Sequence, residues 1–160
     1  MQKIINFIKE NKTKIGWVVV TLIAGGLGTL LSGGFDAYKT YEQPPLSPPA
    51  ILFPIVWTLL YILMGIAAGI VAESRDLDKG KGLKLYVLQL AINVIWPIIF
   101  FRFDALKFAC FWLVLLIVAV VLTIFSFYRI DKKAAFLLLP YLAWCLFALY
   151  LNFGIVVLNV

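Results

Sequence analysis

The chain has 160 residues, of which 64% are hydrophobic and 14% charged, with a mean hydropathy of +1.02; a soluble domain is about half apolar and a quarter charged. This is the composition of an integral membrane protein, with one transmembrane domain over residues 1–160 and no room for a separate soluble one. The net charge of +6 does not point to nucleic acid, because the cations stand between apolar runs, where they set topology or meet membrane lipid.

Residues 1–14 carry Lys3, Lys9, Lys12 and Lys14 against Glu10. They read as a basic flanking segment or, through Ile4, Ile5, Phe7 and Ile8, as a short stripe at the membrane surface. Five apolar runs follow, at about 15–31, 49–72, 83–101, 106–128 and 134–158. Each approaches or exceeds the ~20 residues that cross a ~30 Å hydrocarbon core. The first is long for a cleaved signal segment and is read as a retained helix. The fold class is therefore all-α, a bundle of five transmembrane helices. Eleven of the fourteen Lys and Arg residues fall on the N-terminal side of alternating connections. The positive-inside rule places the N-terminus in the cytoplasm and the C-terminus on the opposite side, in the cell membrane.

The stretch around which the chain is organised lies between the first and second runs. Pro44, Pro45, Pro48 and Pro49 fix φ and remove donors, so they hold a rigid lid loop, about 32–48, that feeds the second helix with Pro49 near its start. Phe53, Trp57 and Tyr61 follow at i, i+4 and i+8, on one helix face. Gly65 and Gly69 form a small-xxx-small pair, suited to a homodimer face or to close packing inside the bundle.

The third run contains Gln89, Asn93, Trp96, Pro97 and Phe100. Pro97 cannot donate to the Asn93 carbonyl, so the helix should loosen there. Gln89 and Asn93 read either as hydrogen-bonding glue between helices or as ligand contacts. The fifth run places Trp144, Ala148, Leu151 and Asn152 on one face. Trp17 and Trp112 stand near helix ends, as interfacial anchors do. Cys110 and Cys145 read as small buried hydrophobes.

No run has an acid or base at its middle, which argues against a proton-coupled carrier or ion pump. With histidine absent, no metal site and no His-based catalysis is expected. Depth separates the indoles: Trp57 lies about 12 Å and Trp96 about 8 Å from the outer end of their helices, and Trp144 about 15 Å from the inner end of its own. Three indoles in the outer half, beneath the proline loop, suit a flat apolar ligand; ordinary packing of the bundle accounts for them equally. Lys39, Arg102 and Lys107, on the same side, either meet ligand carboxylates or snorkel to headgroups.

Three blocks, PPLSPPAILFPIVWTLLYILMGIAAG, QLAINVIWPIIFF and PYLAWCLFALYLNFGIVVLN, resemble the translocator protein family, also called tryptophan-rich sensory proteins or peripheral benzodiazepine receptors. The resemblance implies a five-helix bundle, often dimeric, closed by its first loop. It implies a receptor, sensor or transport protein that binds porphyrins, sterols and isoquinoline- or benzodiazepine-like ligands, with porphyrin as ligand or substrate and no required cofactor. It also implies an alternative, light-dependent degradation of protoporphyrin by two tryptophans, at whose positions Trp57 and Trp144 stand. Tyr61, Asn93, Trp96, Ala148 and Leu151 match family cavity or helix-core positions. Phe53 and Phe100 complete the expected ligand set, with Phe108 where some members have a cavity tryptophan. The chain departs from the family in the loop, where both tryptophans are missing and Ala37-Tyr38 replaces Trp-Tyr. The basic sterol motif after the fifth helix is also missing.

Overall fold

The computed structural model describes residues 2–34 and 36–160. The side chains of Ile4 and Ile5, on which the N-terminal stripe partly rests, and those of Gln2, Lys3, Asp36 and Ala37 lie outside the described residues. The chain forms α1 (Gln2–Glu10), α2 (Lys12–Ser32), a 3-10 turn (Asp36–Thr40), α3 (Leu52–Glu73), α4 (Lys79–Pro97), a π turn (Ile98–Arg102), α5 (Leu106–Ile130), α6 (Lys132–Leu137) and α7 (Leu139–Asn159). There is no strand among the described residues. Five segments are long and apolar enough to cross a membrane: Lys12–Ser32, Leu52–Glu73, Lys79–Arg102, Leu106–Ile130 and Lys132–Asn159.

Local chemistry sets the boundaries. The α2 helix stops at Gly33, whose left-handed φ of 86° closes a C-terminal cap onto the Leu30 carbonyl. The α3 helix begins at Leu52, three residues later than the expected start at Pro49. Pro54 explains the delay. From a Leu52 start it is the third helical residue, where the N–H has no intrahelical partner. Had the helix begun at Pro49, the missing Pro54 donor would have left the Ala50 carbonyl open. A turn instead joins Pro49 to Leu52, the Leu52 N–H donating to the Pro49 carbonyl at 2.9 Å. Helix loosening at Pro97 takes the form of the π turn that follows it, closed by the Phe103 N–H on the Ile98 carbonyl at 3.1 Å. The fifth run, read as continuous over 134–158, divides at Leu138, with Pro140 in the first turn of α7. Asp131 caps α6 through the Ala134 N–H.

Around the bundle, α2 lies between α3 and α4, α5 follows α4, and α6 and α7 close the ring against α3. The α2–α3 contact is close because glycines permit it. A Cβ at Gly65 would strike the Val18 backbone, and one at Gly69 would meet the Lys14 Cα at 2.5 Å. The small-xxx-small pair is thus used inside the chain. Lys14 also pairs with Glu73 at 2.8 Å, tying the two helix ends together. Trp17 and Trp112, expected as interfacial anchors, also tie helices together. Trp17 packs edge-on to Tyr86 at 5.7 Å, and Trp112 Nε1 donates to the Ile92 carbonyl at 2.8 Å.

Candidate functional site

An aromatic chamber occupies the end of the bundle beneath the proline loop. On α3, Phe53 and Trp57 are one turn apart and face inward with Tyr61. Trp57 stacks on Tyr61 at 5.5 Å and meets Tyr141 edge-on at 6.2 Å. Across the chamber Phe53 packs edge-on against Trp144 at 6.0 Å, and Tyr38 from the loop covers Phe53 at 4.8 Å. Trp96 and Phe100 are 5.3 Å apart and supply the wall where α4 gives way to the π turn.

Amides hold these rings in place. Tyr61 donates to Asn93 Oδ1 at 2.8 Å, Asn93 Nδ2 to Tyr141 at 3.0 Å, and Tyr141 to Gln89 Oε1 at 2.8 Å. Above them Asn152 accepts from Trp96 Nε1 at 3.4 Å and donates to the Leu106 carbonyl at 3.1 Å. The carboxamides at 89, 93 and 152 therefore do serve as interhelical ties. Three buried polar atoms have no hydrogen-bond partner among the described residues, the Tyr38 hydroxyl, Gln89 Nε2 and Trp144 Nε1. A buried donor left unpaired costs about 1–3 kcal/mol, so each has an acceptor to gain.

Two small voids remain among the rings, each with a cavity volume of about 10 Å³, enough for roughly one water. One lies between Tyr38, Phe53, Trp96, Phe100, Ala148 and Leu151, the other between Trp57, Tyr61, Asn93 and Trp96. Drug-sized ligands take pockets of about 300–1,000 Å³. The chamber here is collapsed, and a ring system enters only if the aromatic side chains separate. Outside Trp57 and Tyr61 a larger groove of about 350 Å³ runs between α2 and α3, with Gly25, Gly26 and Thr29 on its far wall.

The loop is fastened over this end. Pro44 is buried in a notch that exists because residue 154 is glycine; a Cβ there would meet the proline ring at 2.6 Å. Tyr150 donates to the Pro45 carbonyl at 2.8 Å. The Asn159 amide both accepts from and donates to the Glu42 backbone, each at 2.9 Å. Tyr41 donates to Asp104 at 2.6 Å; burial and the adjacent carboxylate push its hydroxyl up to about 12. Pro48 is half-buried, while Pro45 and Pro49 are exposed.

Of the expected site residues, the structure gathers Phe53, Trp57, Tyr61, Asn93, Trp96, Phe100, Trp144, Ala148 and Leu151. It does not gather Phe108. That ring is 51% exposed on the outer face of α5, 6.3 Å from Phe111, beside a separate surface groove with Lys107 and Val160. Arg102 is committed to the Leu31 carbonyl at 3.2 Å. Sequence reasoning missed Tyr38 and Tyr141. Tyr141 had a signal, since Tyr141, Cys145, Ala148, Asn152 and Ile155 recur at spacings of four, three, four and three along one face of α7. Tyr38 had none, because a loop has no helical period.

The TspO/MBR family model matches residues 17–158. Over 124 residues the chain is 40% identical to a tryptophan-rich protein TspO of Chlorobaculum tepidum, covering 76% of this chain and 78% of that one. It is 35% identical to a tryptophan-rich sensory protein of Cereibacter sphaeroides, covering 76% of each. A translocator protein of Ovis aries is 33% identical, over 87% of this chain and 85% of its own.

Proposed function

Because the chain belongs to the TspO/MBR family, a family of multi-pass membrane proteins, we propose that it binds porphyrins and related flat lipophilic molecules in the chamber at 53, 57, 96 and 144, as a receptor, sensor or transport protein of the cell membrane. The observation that carries this reading is the ring of facing aromatics, with a buried indole N–H at Trp144 lacking an acceptor. Stacking holds a planar ring system, and the free donor takes one acceptor at its edge. Under the proposal the N-terminus is cytoplasmic, so the fastened loop lies on the outer side and opens to admit the ligand. Protoporphyrin should quench the indole fluorescence of purified protein. A Trp57→Phe, Trp144→Phe double variant that is quenched as fully as the wild type removes the proposal.

The Trp57–Tyr61 stack favours a second reading. An indole beside a photoexcited porphyrin can give it one electron. The porphyrin radical anion passes that electron to dioxygen, and the indole radical cation takes one back from the porphyrin. The net products are a porphyrin radical cation and superoxide, which combine to open the macrocycle. Illumination with protoporphyrin should then bleach the Soret band faster than in empty detergent micelles. Equal rates exclude the degrading activity and leave binding untouched.

A further inference from the structure

At the opposite end of the bundle a groove of about 510 Å³ runs between the start of α4 and the end of α5. Its floor is apolar, with Leu85 on α4 and Leu122 and Phe125 on α5, the last two exposed on the outer face. Its mouth carries Arg129 from the last turn of α5, with Asp76 and Asp78 from the loop before α4. The charges are unequally used. Asp78 is bound to Lys81 at 2.9 Å. The Asp78 carboxyl is held below its ordinary pKa, first by that Lys81 bond and then, more weakly, by the Arg129 guanidinium. Arg129 makes no ion pair or hydrogen bond among the described residues. Asp76 gives one carboxylate oxygen to the Asp78 N–H at 2.7 Å and has the other to offer.

We propose that this groove seats a phospholipid with an ethanolamine headgroup, the phosphate on Arg129, the ammonium at the Asp76 carboxylate, and an acyl chain along Leu85, Leu122 and Phe125. The site joins an unspent planar cation and an unspent carboxylate above an apolar channel, at the ends of two candidate membrane spans, Lys79–Arg102 and Leu106–Ile130. A guanidinium takes phosphate oxygens two at a time, and a primary ammonium has three hydrogens to donate. A choline head has none. An anionic glycerol head brings no cation and would leave the Asp76 carboxylate unpaired. The inference stands apart from the aromatic chamber and does not depend on what that chamber binds.

The test is lipid retention by native mass spectrometry. Delipidated protein is given an equimolar mixture of phosphatidylethanolamine, phosphatidylcholine and phosphatidylglycerol of matched chains. A hydrogen bond to a charged group should cause ethanolamine lipid to be retained about tenfold or more over choline lipid. Arg129→Gln and Asp76→Asn should each abolish that preference without lowering the melting temperature of the lipid-free protein. Ser126→Trp, which fills the groove beside Phe125, should block retention with the charges intact. Glycerophosphoethanolamine lacks acyl chains and should produce no thermal shift. Equal retention of the three lipids, preference for the glycerol lipid, or an unchanged preference in Arg129→Gln overturns the assignment. So does a full shift from the chainless headgroup. Should Arg129→Gln fail to fold, the wild-type preference and the Ser126→Trp result still decide it.

Discussion

The two ends of this bundle are built differently. At the end that carries α1, helices meet backbone to backbone across Gly65 and Gly69, Lys14 closes on Glu73, and Thr21 bonds Tyr86 at 2.6 Å. These contacts leave little room to rearrange. At the end under the proline loop, the contacts are ring against ring at 4.8–6.2 Å, with small voids and an unpartnered indole donor among them. Edge-to-face rings can exchange one aromatic partner for another at small cost, whereas a helix pair seated on glycine cannot separate by half an ångström without losing its contact. Under the proposed function, the rigid end fixes the helices while the aromatic end parts to take in a ligand ring.

The largest expected effect breaks the rigid end. Gly65→Leu drives a side chain into the Val18 backbone. Overpacking against side chains costs about 1–3 kcal/mol, and backbone yields less, so the loss should reach or exceed about 3 kcal/mol. A melting curve in detergent checks this, and ligand binding by the residual folded fraction should be unchanged. Asn93→Leu comes next, because it joins the two ends. It removes acceptor and donor from Tyr61 and Tyr141, both buried. Interhelical bonds of this kind are worth about 0.6–2 kcal/mol in membranes. The variant should therefore melt slightly lower and also bind protoporphyrin several-fold more weakly, as the Trp57–Tyr61 stack loosens.

Effects in the loop should be kinetic. Pro45→Gly with Pro48→Gly frees backbone that proline holds near its folded shape, and Asn159→Ala removes both bonds to Glu42. Each should speed porphyrin dissociation several-fold while shifting the melting temperature by a few degrees at most. An unchanged dissociation rate with a lowered melting temperature would make the loop a structural strap only. The smallest effect concerns Tyr41. Its hydroxyl titrates near 12 in the folded chain against 10.0 in an unfolded one. The folded state keeps that proton while the unfolded state loses it, so stability falls as pH rises through 10 to 12. Tyr41→Phe should show a shallower fall than wild type over the same range.

How far the sequence foretold this arrangement depended on period. The five spans and the inward face of Phe53, Trp57 and Tyr61 were legible because helices repeat every 3.6 residues and lipid demands about 20 of them. The same rule, applied to α5, would have excluded Phe108. The buried stripe there runs through Leu106, Ala109, Leu113, Leu116 and Val120, and residue 108 falls between its members. Its place among the site residues came from the family resemblance instead. Pro54 was overlooked as a boundary marker because the four prolines before it drew the helix start toward Pro49. The Pro44 notch at Gly154 and the Asn159 clasp join residues more than a hundred positions apart. No local pattern announces such pairs. The lost loop tryptophans gave no hint that Tyr38 would cover Phe53 in their stead.

The chain contains five tryptophans, which makes fluorine NMR of 5-fluorotryptophan protein the most direct measurement of the central claim. Each resonance is assigned by replacing one indole with phenylalanine, and protoporphyrin is titrated in the dark. Trp57, Trp96 and Trp144 should shift together and saturate at one concentration, while Trp17 and Trp112, locked between helices, stay in place. Saturable shifts at Trp17 or Trp112 with the other three unmoved would put the ligand elsewhere and contradict the aromatic chamber as its site.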